Sequence, residues 1–488
     1  RQAAWSIRHV RTRGSYAPDR LRIASIDVDA LKARIEGRDI DVSLPDFTRV
    51  LAHLSAQAPG LALQADAEMG QRSGGGTLSL QLESAEDTVA WLRGLPLLGE
   101  QVPSMEAVGA ASLQAQWQGG WRQWRDGMKN PARHPQLSVD ATLTSGQLRA
   151  AFPDAGGAPR TLDLTGFEAA LKGNLAAATL RIGGGLRANE NAGQFDVSVQ
   201  MQRDAADAPI PGWQLLFERM AVEATLPPDP QPWRLALDDG LRVNIDTGRT
   251  LRVESTAGRL ALTPPPVGGA EARPLEIAWE PLQLRRTEDG ATRLQSRGSI
   301  QGIQPAWLDL LRDEFGDGRL AAAGLRTDLV LSADWDLTLA EQLDVRARMR
   351  RDSGDVWLLG AVLPGEGGSA DIQAAVGEGI AAGITAIDLT MASSAEQVTV
   401  ALDWQTARAG AVTARAASRL TRNGDAWNLE SDAPLEGRIE ARLQDLSVWA
   451  ILAPPGWRVQ GELDTDLAIA GTVGTPLVSG SIAGRALN

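Results

Sequence analysis

Side chains able to do chemistry are scarce in this chain. Its three histidines, His9, His53 and His134, are far apart in sequence, and none lies beside another His or a Cys. Metal sites and nucleophilic triads need several such groups converging, which here only the tertiary fold could supply. The absence of cysteine removes disulfides and thiolate metal sites, and is compatible with an oxidising compartment. No G-x-S-x-G, P-loop or H-E-x-x-H pattern occurs, and "GEGIAAG" at 377 to 383 is neither G-x-G-x-x-G nor framed as βαβ, so a turn is expected there. Two acid pairs remain, Asp27/Asp29 and Asp39/Asp41. Paired carboxylates suit glycoside hydrolysis or calcium binding, but the same i, i+2 spacing places both on the wet face of a strand, and that reading is preferred. No catalytic residue, cofactor or metal ligand is assigned, and the chain is not expected to be an enzyme.

Bulk properties narrow the remaining classes. A formal net charge of -13 argues against nucleic acid as a partner, because phosphate contacts need clustered basic residues. Only Lys32, Lys129 and Lys172 are lysines, so the positive charge is almost entirely arginine; with abundant Ala, Gly and Leu this points to a GC-rich genome. No stretch approaches the ~18 apolar residues needed to cross a bilayer. The chain opens at Arg1 and stops at "GSIAGRALN", in mid-pattern. A segment of a longer polypeptide is therefore expected, with any targeting or anchoring sequence outside it. At 488 residues it exceeds one ordinary globular core and fits either several domains or one elongated repeat body.

The elements that must position any site are strands. "LALQADAEM" puts Leu61, Leu63, Ala65, Ala67 and Met69 on one face, with Gln64, Asp66 and Glu68 opposite. "TLSLQLE" does the same with Leu78, Leu80 and Leu82, "FDVSVQMQ" with Phe195, Val197, Val199 and Met201, and "LDVRARMR" with Leu343, Val345, Ala347 and Met349. "VTVALDW" adds Val398, Val400, Leu402 and Trp404. Period-two alternation gives a half-buried strand with one dry and one wet face. It recurs from end to end and is punctuated by turn chemistry such as "QRSGGGT", "RTEDG" and "TRNGD". The chain is therefore expected to be all-β.

Four segments have helical spacing. "PDFTRVLAHL" offers Phe47, Val50, Leu51 and Leu54. "SAEDTVAWLRGL" opens with a Ser84/Asp87 box and carries Trp91, Leu92 and Leu95. "QPAWLDLLRDEF" starts at Pro305 with Trp307, Leu308, Leu311 and Phe315, and "QDLSVWAIL" offers Leu446, Trp449 and Leu452. Each is expected to be a short amphipathic helix that caps or plugs neighbouring strands. The order strand, Trp/Leu helix, strand recurs irregularly, as a degenerate repeat without fixed period.

The stretch "SLQAQWQGGWRQW" holds three of the fifteen tryptophans. It alternates Leu113, Ala115 and Trp117 and is followed, after a connector, by the alternating "PQLSVDATL". "LDTDLAIAG" and "LVSGSI" repeat this near the end with Leu463, Leu467 and Ile469. Trp117 is thus placed on a strand, and Trp121 and Trp124 on a loop at the rim, covering an edge or touching a partner.

A continuous apolar face has several solutions. A transmembrane barrel needs aromatic girdles, usually Tyr-rich, whereas this chain has one tyrosine, Tyr16. A string of β-sandwiches would show clearer boundaries every ~100 residues. One long sheet rolled along its length, its apolar face lining a trough, meets both objections; about 30 stacked strands at ~4.8 Å each would extend on the order of 140 Å. The expected organisation is one continuous repeat region over 1–488, with loose sub-units at about 1–110, 111–300, 301–445 and 446–488.

The units "GSIQGIQPAWLDLL…GRLAAAGLRTDLVLSADWDL", "GRIEARLQDLSVWAILAPPGWRVQGELDTDLAIAGTVGTPLVSGSIAGRAL" and "SLQAQWQGGW" resemble the repeats of the TamB family, the AsmA-like translocation and assembly module proteins of Gram-negative envelopes. The signature L-x-x-x-L-x-I-x-G-T-x-G-T-P-x-x-S-G spans 463 to 480. The resemblance implies a periplasmic protein anchored in the inner membrane by an upstream segment. It also implies an elongated, U-shaped hydrophobic β-groove that faces phospholipid acyl chains and moves them between the two membranes. An outer-membrane barrel partner, TamA, would be met by regions outside this segment. Leu78, Leu80, Trp117, Val197, Val199, Val398, Val400, Leu463, Leu467 and Ile469 are expected to line the groove. The alternative is a scaffold for outer-membrane protein assembly that pairs client strands along an edge; a β-helical carbohydrate-binding or adhesive surface ranks third.

Overall fold

The computed structural model describes residues 6–44, 48–95, 105–127, 137–153, 159–203, 212–227, 231–237, 239–247, 250–266, 273–310, 318–359, 379–423, 426–446 and 461–487. Antiparallel strands dominate throughout. Contacts divide the chain into two units, Arg1–Gly248 and Arg249–Asn488.

In the first unit the chain runs back and forth through neighbouring strands in sequence order, from Ile7–Ala17 to Trp213–Thr225. The short strands Trp233–Leu237 and Leu241–Thr247 then share the far edge of Trp213–Thr225. This meander follows from the sequence: strands of 9 to 16 residues are joined in part by tight turns and in part by connectors carrying a short helix, and consecutive antiparallel strands pair most readily.

The second unit begins with a nested arrangement. Leu251–Ser255 pairs with Leu282–Arg286 and Gly258–Thr263 with Leu275–Trp279, and both partners then pair with Thr292–Ile303. From there another meander runs through Val330–Leu339, Leu343–Ser353, Ile384–Ser394, Gln397–Thr406, Ala411–Arg419, Leu435–Leu443, Glu462–Gly471 and Pro476–Arg485. The all-β fold expected from alternation is the fold observed, and its strands pair antiparallel.

Packing against this framework is concentrated at strand ends. A three-stranded sheet of Leu325–Thr327, Val356–Leu358 and Ile380–Ala381 closes one end of the second unit's strands. Leu329, Leu358, Ala382, Ile384 and Ala409 form a buried cluster there, with Trp404 and Ile387 packed against it. The Asp355 carboxylate ties the corner, accepting from the backbone N–H groups of Val356 (2.8 Å), Ile384 (3.0 Å) and Gly383 (3.0 Å).

Two helical expectations are corrected. Phe47 lies outside the described residues, but Val50, Leu51 and Leu54 belong to the strand Arg49–Ala58, not to a helix. The segment "RVLAHLSAQA" satisfies both periods, since Val50, Ala52, Leu54 and Ala56 also alternate. Strands on both sides offer unpaired backbone groups, which decides for the strand. Trp121 and Trp124 lie on a short helix, Trp121–Gly127, rather than a loop. Gln123 Oε1 accepts from the Gly120 N–H at 3.0 Å and satisfies a donor that a helix start leaves open.

The other helical segments follow the sequence more closely. Ala85–Arg93 is an α-helix whose N-cap Ser84 accepts from the Asp87 N–H at 3.2 Å. Pro305–Leu310 is a single 3-10 segment, with Leu311 and Phe315 outside the described residues. Of the fourth segment, Leu446 is described and Trp449 and Leu452 are not. Among the described residues no helix is long and apolar enough to cross a membrane.

Candidate functional site: one apolar face in each unit

Residues directly opposite each other on paired strands share a face, so the register can be followed across the sheet. In the first unit Val10, Val28, Ile35, Ala56, Leu63 and Leu80 face one another in turn across successive strands. Leu113, Leu143, Ala169, Ile182, Val197 and Met220 continue the row. No polar side chain interrupts it. Two residues along, a second row passes through Leu54, Ala65, Leu78, Ala115 and Ala141, then Leu171, Leu180, Val199 and Phe217. A third contains Ala67, Gly76, Trp117 and Val139.

The second unit is built in the same way. Leu260, Ile277, Ile300, Ala333 and Met349 form a row that continues through Leu389, Leu402, Ala414, Ile439 and Leu467. The adjacent row contains Trp279, Gly298, Trp335, Ala347 and Met391, then Val400, Ala416, Gly437, Ile469 and Val478.

The ten residues expected to line a groove therefore fall on the apolar faces of their units. Leu78, Leu80, Trp117, Val197 and Val199 share the face in the first unit; Val400, Leu467 and Ile469 lie in the two rows just described for the second. Val398 and Leu463 share that second face at other levels. Val398 stands between Ser393 and Ser418, and Leu463 between Leu443 and Gly484. Ser393 introduces no open polar group, because its hydroxyl donates to Leu343 O at 2.8 Å and accepts from the Val345 N–H at 2.9 Å.

Among the described residues, exposure shows that this face carries no second layer over much of its extent. Ile35 is 44 % exposed and Leu143 38 % in the first unit, and Met391 38 % and Val400 37 % in the second. A packed interior would leave almost nothing accessible, as Leu358 illustrates at 2 % in the buried cluster of the second unit. Yet the apolar face is more sheltered than the polar one: Leu343–Ser353 alternates half-buried apolar residues with exposed charged ones along most of its length. Within each unit the apolar surface is thus partly sheltered and yet not covered.

The opposite face is polar and laced by cross-strand ion pairs. In the first unit these include Arg49–Glu68 at 2.7 Å, Arg219–Asp196 at 3.2 Å and Arg20, whose Nε donates to Asp41 Oδ1 at 2.6 Å. In the second, Arg438 donates through Nη2 to Asp466 at 2.6 Å, Arg297 contacts Asp336 at 2.7 Å, and Arg348 pairs with Asp388. Three of the four acids that raised the question of chemistry belong here, whereas Asp39 stands at an irregularity of its strand, with φ 51°. Asp27 contacts His9 at 3.1 Å and Arg34 at 3.4 Å, Asp29 contacts Arg8 at 3.5 Å, and Asp41 contacts both Arg20 and Arg22. Hydrogen bonds from His9 and from Arg20 hold the Asp27 and Asp41 carboxyls below the usual carboxylate range. Both are thus engaged with cations and favoured as anions. His53 is likewise occupied by Asp66 at 2.6 Å. Among the described residues no group of three or more His, Cys, Asp or Glu is arranged to hold a metal.

Helices define the ends of the face in the first unit. Ala85–Arg93 docks on two hairpin turns: Thr88 Oγ1 donates to Pro59 O at 3.1 Å, and Trp91 Nε1 donates to Leu31 O at 2.7 Å. Trp121–Gly127 docks on the opposite ends of the strands, with the Arg122 N–H donating to Gln71 O at 3.2 Å. The two loop-assigned tryptophans are thus rim residues on a helix, and Trp121 is flanked by the guanidinium groups of Arg122 and Arg125 at 5.2 and 5.5 Å.

Trp279 and Trp335 were not among the expected lining residues, although they stand on the apolar face beside Gly298. The signal was present in "LEIAW" and "VLSADW", where Trp continues the apolar register of Ile277 and Ala333. No protein-family model matches this sequence, and no curated protein sequence matches it.

Proposed function

We propose that this chain is a stretch of a lipid conduit: phospholipid acyl chains lie along the apolar face, and the headgroups stay at its wet margin. One observation carries the proposal. Uninterrupted apolar rows cross strand after strand while residues such as Val400 and Met391 remain more than a third exposed. A soluble protein rarely leaves so extended an apolar surface without something to cover it. An acyl chain fits chemically, since each buried CH2 contributes about 0.8 kcal/mol and a sixteen-carbon chain roughly 10 kcal/mol. The likeness of "LDTDLAIAGTVGTPLVSG" to TamB-family repeats supports the same reading and suggests the periplasm of a Gram-negative cell, with anchoring and barrel-contacting regions outside this chain. The proposed activity is non-catalytic, with no metal, cofactor or nucleic acid in the transfer.

Photo-crosslinkers at Val197 and Leu467, compared with Gln200 and Asp466 on the polar face, test this proposal. Adducts to phospholipid confined to the apolar positions support the conduit.

The second reading is a scaffold for outer-membrane protein assembly. It draws on the strand Pro476–Arg485, which pairs on one side only among the described residues and has Leu477, Val478 and Ile482 exposed. Such an edge can accept a client strand. Protein adducts at Val478, without lipid adducts on the face, would favour it.

A further inference from the structure

The tryptophans on the apolar face share an arrangement that alternation alone does not require. Trp279 stands directly opposite Gly258 on one neighbouring strand and Gly298 on the other, and Trp335 stands opposite Gly298. The Trp279 indole lies over Gly258. A Cβ added there would meet ring atoms Cζ2, Cε2 and Cη2 at 2.3, 2.8 and 2.9 Å. Trp335 covers Gly298 likewise, its Cζ2 2.3 Å from the position of a Cβ, while its Nε1 donates to Ser296 Oγ at 3.0 Å. The first unit repeats the pair with Trp117 over Gly76, at 2.4 Å. In all three, the ring leans onto the strand that comes before its own.

We infer that Gly258 and Gly298 are positioning residues that keep the indoles flat against the sheet, so that the apolar face stays clear for an acyl chain; this rests on the lipid-carrying function proposed above. The rings overlap like shingles. Trp279 occupies the space over Gly258, and Trp335 already occupies the space over Gly298. A side chain at position 258 would push the Trp279 ring off its bed. The glycine on its other side offers no room, so the ring turns outward, away from the sheet and over the row containing Ile277 and Ile300. Lying flat, an indole adds apolar floor; standing up, the same ring is a barrier. A tryptophan exposes one of the largest side-chain surfaces available, so its orientation decides whether a chain passes. Gly258 is the informative position because its three nearest obstructions all belong to one side chain, the Trp279 ring.

The test uses the whole 488-residue chain with p-benzoylphenylalanine at Ile300, diagonal to Trp279, or at Leu467, further along the same row. The probe is a vesicle of phosphatidylethanolamine and phosphatidylglycerol with a labelled acyl chain. The native background gives lipid adducts at both positions. Gly258→Val loses the Ile300 adduct and keeps the Leu467 adduct, and Gly258→Val combined with Trp279→Ala recovers the Ile300 adduct. A merely structural glycine would not be rescued by deleting the ring. An Ile300 adduct unchanged in Gly258→Val, or not recovered in the double variant, overturns the inference while leaving the conduit standing. No adduct at either position in the native background overturns the conduit itself. If Gly258→Val loses both adducts through misfolding, Gly258→Ala adds the Cβ alone and is judged by the same outcomes.

Discussion

The Trp117 indole lies on Gly76, the residue directly across from it on the neighbouring strand, with ring atom Cζ2 2.4 Å from where a Cβ at Gly76 would stand. Glycine opposite tryptophan is a cross-strand pair in which one residue lacks bulk so that the other can lie down. Gly76→Ala should therefore destabilise the chain by about 1–3 kcal/mol through overpacking. Gly146 is the control. It is exposed and has nothing within 4 Å of an added Cβ, so Gly146→Ala should be neutral or stabilising by about 0.4–1 kcal/mol. Urea unfolding of the three proteins measures both, and equal losses would contradict the assigned role of Gly76.

The hairpin turn at Leu31 and Lys32 has both residues at positive φ, 54° and 64°. That backbone suits a tight hairpin but costs a residue with a Cβ roughly 1–2 kcal/mol. Lys32 is exposed, so Lys32→Gly should stabilise, by about 1 kcal/mol at most after glycine's entropy is counted. A drop in the unfolding midpoint would refute this.

Trp91 holds the same turn by donating its Nε1–H to Leu31 O at 2.7 Å, 60 residues away in sequence. Trp91→Phe keeps an aromatic ring and loses the donor, with an expected cost of about 1 kcal/mol. Hydrogen exchange should show the loss as faster opening of the Arg20–Ala30 and Ala33–Ser43 hairpin. Exchange unchanged there would mean that the helix does not brace the turn.

Acid should loosen the polar faces before anything else changes. Hydrogen bonds from Arg20, Arg348, Arg438 and His9 hold the carboxyls of Asp41, Asp388, Asp466 and Asp27 below their ordinary range. A carboxyl with a depressed folded-state pKa contributes stability that is complete above its unfolded value, about 4, and is lost as pH falls through the folded value. Stability attributable to the three arginine pairs should be flat from about pH 5 upward and decline below about pH 4. All four are surface pairs screened by solvent, so each contribution is small and weakens with added salt. An Asp388→Asn variant that still shows the full acid decline would remove Asp388 from this set.

Much of the face was legible in the sequence, because alternation at period two survives folding unchanged. "LDVRARMR" reads as one dry and one wet face, and the strand Leu343–Ser353 has just that pattern. Ser84 with Asp87 likewise announced a capped helix. The failures have definite causes. Arg49–Ala58 fits two periods at once, and only its neighbours select the strand. The helix at Trp121 is too short for periodicity to reveal and is set by its dock on the 70–72 turn. Pairing Trp279 with Gly258 requires the register between two strands, which neither strand encodes alone. The same holds for the small sheet of Leu325–Thr327, Val356–Leu358 and Ile380–Ala381, whose strands are too short to alternate.

Charge on the apolar face should abolish lipid contact while charge on the other face should not. Leu80→Glu and Gln81→Glu differ by one position and point to opposite sides. A carboxylate among acyl chains lacks any partner for its charge. A photo-crosslinker at Leu113, directly opposite Leu80, should lose its phospholipid adduct in Leu80→Glu and keep it in Gln81→Glu. Equal behaviour would place the contact elsewhere.

If the open apolar face carries phospholipid, the bound lipid is visible in the mass of the folded chain. Native mass spectrometry of the purified chain, prepared without detergent and then incubated with phosphatidylethanolamine and phosphatidylglycerol vesicles, tests it most directly. The prediction is a series of phospholipid-bound species that disappears in a Leu80→Glu, Leu467→Arg double variant that still folds. A native chain that stays lipid-free under these conditions would contradict it.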